Sequence, residues 1–266
     1  MGFMEHLDAL RAHLWRSVVV LFGAMLVLFA RKEWVFDGIL LAPKSRDFAT
    51  YRWICSLGEQ WGQKTKWCVE DIPLQLVNLD LTGQLMQHLY VSFFGAFVVA
   101  FPYLTWELWR FVSPALKDRE FTEARRLILA VSVLFYGGCA FGYWVLSPLT
   151  ILFLSQYQVS VEVTNTIALG SYLSSLTMMV LTAGLIFELP VLAFFLGRVG
   201  LVTADWLRTN RRYALVANMV VAALLTPSDV GGMLILAVPM SLLYEMSIWV
   251  VSASARKTIE NTNQDV

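Results

Sequence analysis

Residues 127–154 contain no charged side chain. As a helix rising about 1.5 Å per residue, the stretch reaches about 42 Å, more than the roughly 30 Å hydrocarbon core of a bilayer. A run of that kind is solvated by lipid, and its excess length calls for tilt, or for a bend near Gly137 and Gly138 or at Pro148. Five further apolar stretches accompany it, so that spans are expected at about residues 14–30, 87–109, 127–154, 169–196, 213–225 and 233–251. The whole chain, residues 1–266, then reads as one all-α membrane domain of six transmembrane helices. Its fifth and sixth helices are short: at about 20 Å the fifth must thin the bilayer or lean on its neighbours. Composition agrees, with 58% apolar residues, 15% charged and a mean hydropathy of +0.61, against about half apolar and a quarter charged in soluble domains.

A cleaved secretory leader is the competing reading of the first stretch. Acidic Glu5 and Asp8 in the leading segment, and the want of a small-x-small cleavage site before Arg31 and Lys32, argue for a retained span. With an even number of spans, 13 of the 20 Lys and Arg residues fall on one side of the membrane. The other seven lie between Arg31 and Lys66, inside a long loop whose charge votes weakly. The short loops 156–168 and 226–232 on that side have no Lys or Arg. Both termini are therefore expected in the cytoplasm, and residues 31–86 form a periplasmic loop. Trp53, Trp61, Trp67 and Tyr51, with acids balancing the bases, mark that loop as a folded cap; its aromatics read equally as an interfacial belt or a binding surface.

The formal net charge is zero, which gives no sign of a nucleic-acid partner. Cys55 and Cys68 lie in the cap and are a disulfide candidate if it faces an oxidising compartment; two free thiols are the alternative, and a zinc site lacks a second pair or a nearby His. Glu188 sits deep in the fourth span, where an ionised carboxylate costs at least about 2.5 kcal/mol unless paired, solvated or protonated. It either serves a function or snorkels to water. Glu245 in the last span poses the same question. His6, His13 and His88 are scattered, and no metalloprotease, serine-hydrolase or phosphate-loop motif is present, so neither an enzyme nor a cofactor is indicated.

The strip Trp109-Arg110-Phe111-Val112-Ser113-Pro114 leads into a segment bearing Glu120 and Glu123, where Ser113 before Pro114 reads as a helix start. Carboxylates beside an amphipathic surface suit a cationic peptide, because arginine pairs bidentately with carboxylate; a solvated charged connection is the plainer reading.

Several motifs occur in a specific order. Residues 5–11 read EHLDALR; Phe101-Pro102 precedes WRFVSPAL at 109–116; FGY at 141–143 precedes SPL at 147–149. FELP at 187–190, LR at 207–208, RRY at 211–213, LTPSD at 225–229 and Pro239 with Tyr244-Glu245 follow. In these the chain resembles the TatC family, the polytopic subunit of the twin-arginine protein translocase. The resemblance implies a concave, glove-like bundle of six helices in the bacterial inner membrane. It implies a receptor for twin-arginine signal peptides of folded precursors, with Glu120 or Glu123, Asp8, Arg11 and Phe111 as the signal-binding patch. It further implies that Glu188 engages a single-span TatA-type partner, with Thr226 as another contact and Glu245 a further polar position within the membrane, that TatB-type subunits are additional partners in hetero- and homo-oligomers, and that the proton-motive force drives transport. The family pattern has a glutamate where this chain has Ala9, and Asp8, about 100° around the helix, is the nearest acid. An ion-coupled solute transporter using Glu188 and Glu245 is the rival, although no second copy of the FELP region accompanies it. A structural membrane scaffold is the third reading.

Overall fold

Each apolar run becomes helix in the computed structural model, which describes residues 3–60, 68, 75–112, 121–157, 160, 166–226 and 230–264. The first helix, α1 (Phe3–Ala30), is followed by a π-helical turn over Trp34–Leu40, a 3-10 turn over Ala42–Lys44, and α2 (Ala49–Gln60). A short strand β1 (Gln75–Val77) then precedes α3 (Gly83–Val112) and α4 (Phe121–Phe141). The charge-free run does not stay one α-helix. A π turn over Gly142–Leu146 separates α4 from α5 (Ser147–Gln156), which carries Pro148 in its first turn. Strand β2 (Thr166–Ala168) leads into α6 (Leu169–Ile186) and α7 (Leu189–Arg198), then α8 (Ala204–Thr209), α9 (Arg211–Leu225) and α10 (Val230–Gln264).

Five helical stretches among the described residues are long and apolar enough to cross a membrane: Asp8–Ala30, Gly83–Phe111, Leu127–Gln156, Leu169–Arg198 and Gly231–Ala253. The 15-residue α9 is the short sixth element. The last span, Gly231–Ala253, has 23 residues, while its helix α10 has 35 because it continues past the apolar part into the polar tail. Pro190 breaks the fourth span, because its ring has no N–H to give to Ile186, and the chain turns at Phe187 and Glu188 before α7 begins. Gly200, with φ of 81°, ends α7 in a left-handed turn in which Leu201 N–H reaches back to the Leu196 carbonyl at 3.0 Å.

The core lies where α6 meets its neighbours. Leu146, Ala183, Ile186, Ala222, Leu236, Met240 and Leu243 join the π turn, α6, α9 and α10, while Val35, Leu40, Val91, Tyr172, Leu173 and Leu176 join α3 and α6 to the first turns of the cap. Helices α4 and α6 cross closely through glycine. A methyl group at Gly138 would stand 2.5 Å from the Ala183 carbonyl oxygen and 2.8 Å from Gly184 Cα, and one at Gly142 would stand 2.8 Å from Val180 Cα. Small residues four apart let two membrane helices approach backbone to backbone. By contrast, α1 has no buried residue from Asp8 to Ala30 and touches the bundle along one face, chiefly against α3. The strands pair in parallel, Gln75 opposite Thr166 and Val77 opposite Ala168.

Candidate functional site

At the end of the bundle where α1 begins and α3 finishes, a carboxylate is buried. Glu107, only 2% exposed, is the single charge of the third helix's apolar run, and burial of an acid demands partners. Its Oε2 meets His13 Nδ1 of α1, its Oε1 accepts from the Tyr103 hydroxyl at 2.9 Å, and Arg110 Nη1 stands 3.8 Å away. Arg110 in turn lies 5.0 Å over the Trp106 ring. One helical turn beyond Glu107, Phe111 meets the His13 ring edge to face, with centroids 6.2 Å apart. Asp8 and Arg11 are exposed on α1 just before this cluster. Glu120 lies outside the described residues, as does the Glu123 side chain, and Ser113 and Pro114 also lie outside them. Sequence reasoning passed over His13 and Glu107 because each was weighed alone. Their depth was the available signal: both sit near the same membrane face on spans that adjoin in the chain.

Glu188 is half-buried at the turn between α6 and α7, and its Oε1 is shut from solvent with no hydrogen-bond partner among the described residues. Its position just before α7 sets it at the positive end of that helix, where a carboxylate is favoured. Thr226 closes α9 and is 3% exposed; its hydroxyl donates to the Ala222 carbonyl at 2.8 Å, and with Leu146, Met179, Ala183 and Leu236 it lines an apolar pit. Thr226 therefore faces the last turns of α6, the helix that ends just before Glu188. Glu245 stands apart from both. On α10 it accepts from Arg211 Nη2 at 2.7 Å, and both side chains are about half exposed, so its charge is answered within the chain.

The cap is fastened by hydroxyl groups. Pro148 has no N–H for the Trp144 carbonyl four residues before it, and the Thr50 hydroxyl donates to that oxygen instead. The last carbonyls of the Trp34–Leu40 turn, Ile39 and Leu40, accept from the Tyr143 and Tyr172 hydroxyls at 2.7 and 2.9 Å. Tyr51, 1% exposed, sets its hydroxyl 3.1 Å from the Pro43 and 2.9 Å from the Pro148 carbonyl oxygen. Burial pushes its phenol above the ordinary tyrosine range. Backbone carbonyls near lipid must find donors inside the protein, and these four side chains supply them. Cys55, on α2, is joined to Cys68 by a disulfide. Glu59 lies beside the two sulfurs, but with both thiols bonded to each other the trio offers no thiolate to a metal.

Long apolar spans with glycine-packed crossings and polar groups held inside the bundle define a polytopic helical membrane protein. Residues 5–239 match the family model for TatC, the Sec-independent protein translocase protein. The Sec-independent protein translocase protein TatC of Blattabacterium sp. subsp. Periplaneta americana is 32% identical over 251 residues, 94% of each chain. That of Helicobacter pylori is 36% identical over 188 residues, 71% of this chain and 74% of its own. A crystal structure of the twin arginine translocase receptor TatC superposes with a TM-score of 0.70 at 26% identity, covering 94% of this chain and 99% of its own. The chain belongs to the TatC family: it is a multi-span membrane component of a protein translocase and no enzyme, and the solute-transporter and scaffold readings fall away.

Proposed function

We propose that this protein is the receptor subunit of a twin-arginine translocase in the bacterial inner membrane, with both termini in the cytoplasm. At the cytoplasmic rim Glu120 or Glu123 pairs with the arginines of a twin-arginine signal peptide, while Asp8, Arg11 and Phe111 complete the patch. Glu188, with Thr226 across α6, receives a polar group of a single-span TatA-type subunit, TatB-type subunits join the assembly, and the proton-motive force drives export of the folded precursor. The observation that carries the reading is the match to the translocase family over residues 5–239. The unpartnered Glu188 oxygen supports the partner contact, since an acceptor buried without a donor gains most when a second helix brings one. Glu245, already paired with Arg211, serves the assembly as a fixed ion pair of α9 and α10.

The test is photo-cross-linking from position 120 or 123 to a twin-arginine peptide in membranes. Glu120→Gln with Glu123→Gln should abolish capture, and a twin-lysine peptide should be captured poorly by the unaltered protein, because lysine lacks the bidentate fork. Capture undiminished in the double variant would remove these acids from the site.

A further inference from the structure

The hydrogen bond between His13 and Glu107 has a consequence for the peptide site as proposed above, on which this inference rests. Among the described side chains of α1, it is the one hydrogen bond or ion pair to the rest of the molecule. The other contacts described for residues 8–30 of α1 are apolar or aromatic and run along a single face, and none of these residues is buried. Apolar contact in lipid fixes neither the height nor the rotation of a helix closely, because lipid tails and side chains are alike in polarity. A buried carboxylate does, because it accepts only where donors are aimed at it. Glu107 is held from its own helix by Tyr103 at 2.9 Å, with Arg110 at 3.8 Å, so its second oxygen is presented to α1 in one direction.

We infer that His13 and Glu107 are positioning residues that lock α1 to α3, so that Asp8 and Arg11 on one helix and Phe111 on the other keep the register an arginine-bearing signal peptide needs. Neither residue touches the peptide: Glu107 is 2% exposed, and the His13 side chain is 18% exposed with its ring against Phe111. Two halves of a site carried on separate helices bind well only if their separation is set before the ligand arrives, since ordering them afterwards subtracts from affinity. The pair supplies that setting less than two turns from Asp8 and one turn from Phe111.

The test reads geometry and binding separately in the full-length protein. Nitroxide labels at Leu10 and Leu108, both exposed, report the spacing of α1 and α3, and a fluorescent twin-arginine peptide reports affinity. His13→Ala and Glu107→Ala should each broaden the label distance and weaken the peptide about tenfold, about 1.4 kcal/mol. The double variant should be no worse than either single one. Glu107→Gln with His13 intact, which keeps an acceptor of the same shape, should recover most of both readouts; a residue that merely supported the fold would change melting without this joint behaviour. Label distances unchanged in the alanine variants overturn the lock, and broadened distances with unchanged affinity overturn its role at the site. Failure of the unaltered protein to prefer the twin-arginine over a twin-lysine peptide would overturn the receptor reading and this inference together.

Discussion

Glu107, buried, and Glu188, half-buried, are both acids set among apolar helices, yet their surroundings assign them opposite duties. Glu107 has its donors inside the chain, whereas Glu188 has an oxygen that no described residue satisfies. An unsatisfied buried acceptor is a cost to the isolated protein, and an apolar replacement of similar size relieves it. Glu188→Leu should therefore melt in detergent at the same temperature as the parent or higher, while precursor export by membrane vesicles is lost. A large drop in melting temperature would show that Glu188 serves the fold. Glu188 announced itself in the sequence because a lone carboxylate in a long apolar run has to be explained. Glu107 did not, because its explanation lay in His13, almost a hundred positions away, and no local pattern joins the two.

Helices were legible wherever hydrophobicity alone decides: all six apolar runs are helical, and bends were expected near Gly137-Gly138 or at Pro148 and at no fixed angle. The interruption falls at the π turn Gly142–Leu146, just before Pro148. Its position depends on the meeting of α4 with α6, which one strand of sequence does not display. The same holds for which glycines matter. A side chain at Gly138 would strike the backbone of α6, while nothing lies within 4 Å of one at Gly137. Gly138→Ala should accordingly destabilise the protein by about 1–3 kcal/mol, the usual cost of overpacking a tight site, and Gly137→Ala should be neutral or mildly stabilising through helix propensity. Thermal melting of the two variants side by side decides the matter; equal behaviour would mean that α4 and α6 cross elsewhere. The β1 and β2 pairing was also invisible, because three residues on each side give no usable alternation.

The molecule as a whole joins a lipid-solvated bundle to a cap built on different terms, by hydroxyl-to-carbonyl bonds and one disulfide. The sequence separation of Cys55 and Cys68 is 13, and closing a loop of that order stabilises by about 3 kcal/mol in the chain-entropy model. Cys55→Ser with Cys68→Ser should thus loosen the cap, seen as faster proteolysis after α2, while the bundle keeps its helical circular dichroism; cap digestion unaltered by the change would mean that the hydroxyl bonds suffice. Tyr51→Phe should loosen the same region, since the carbonyls of Pro43 and Pro148 then lose their shared donor. The parallel pairing of Gln75–Val77 with Thr166–Ala168 ties the connection entering α3 to the one entering α6. Whatever pulls on one of these two connections pulls on both, so α3, which holds the buried acid Glu107, and α6, which ends just before Glu188, are suspended from a common mooring and share any displacement imposed there.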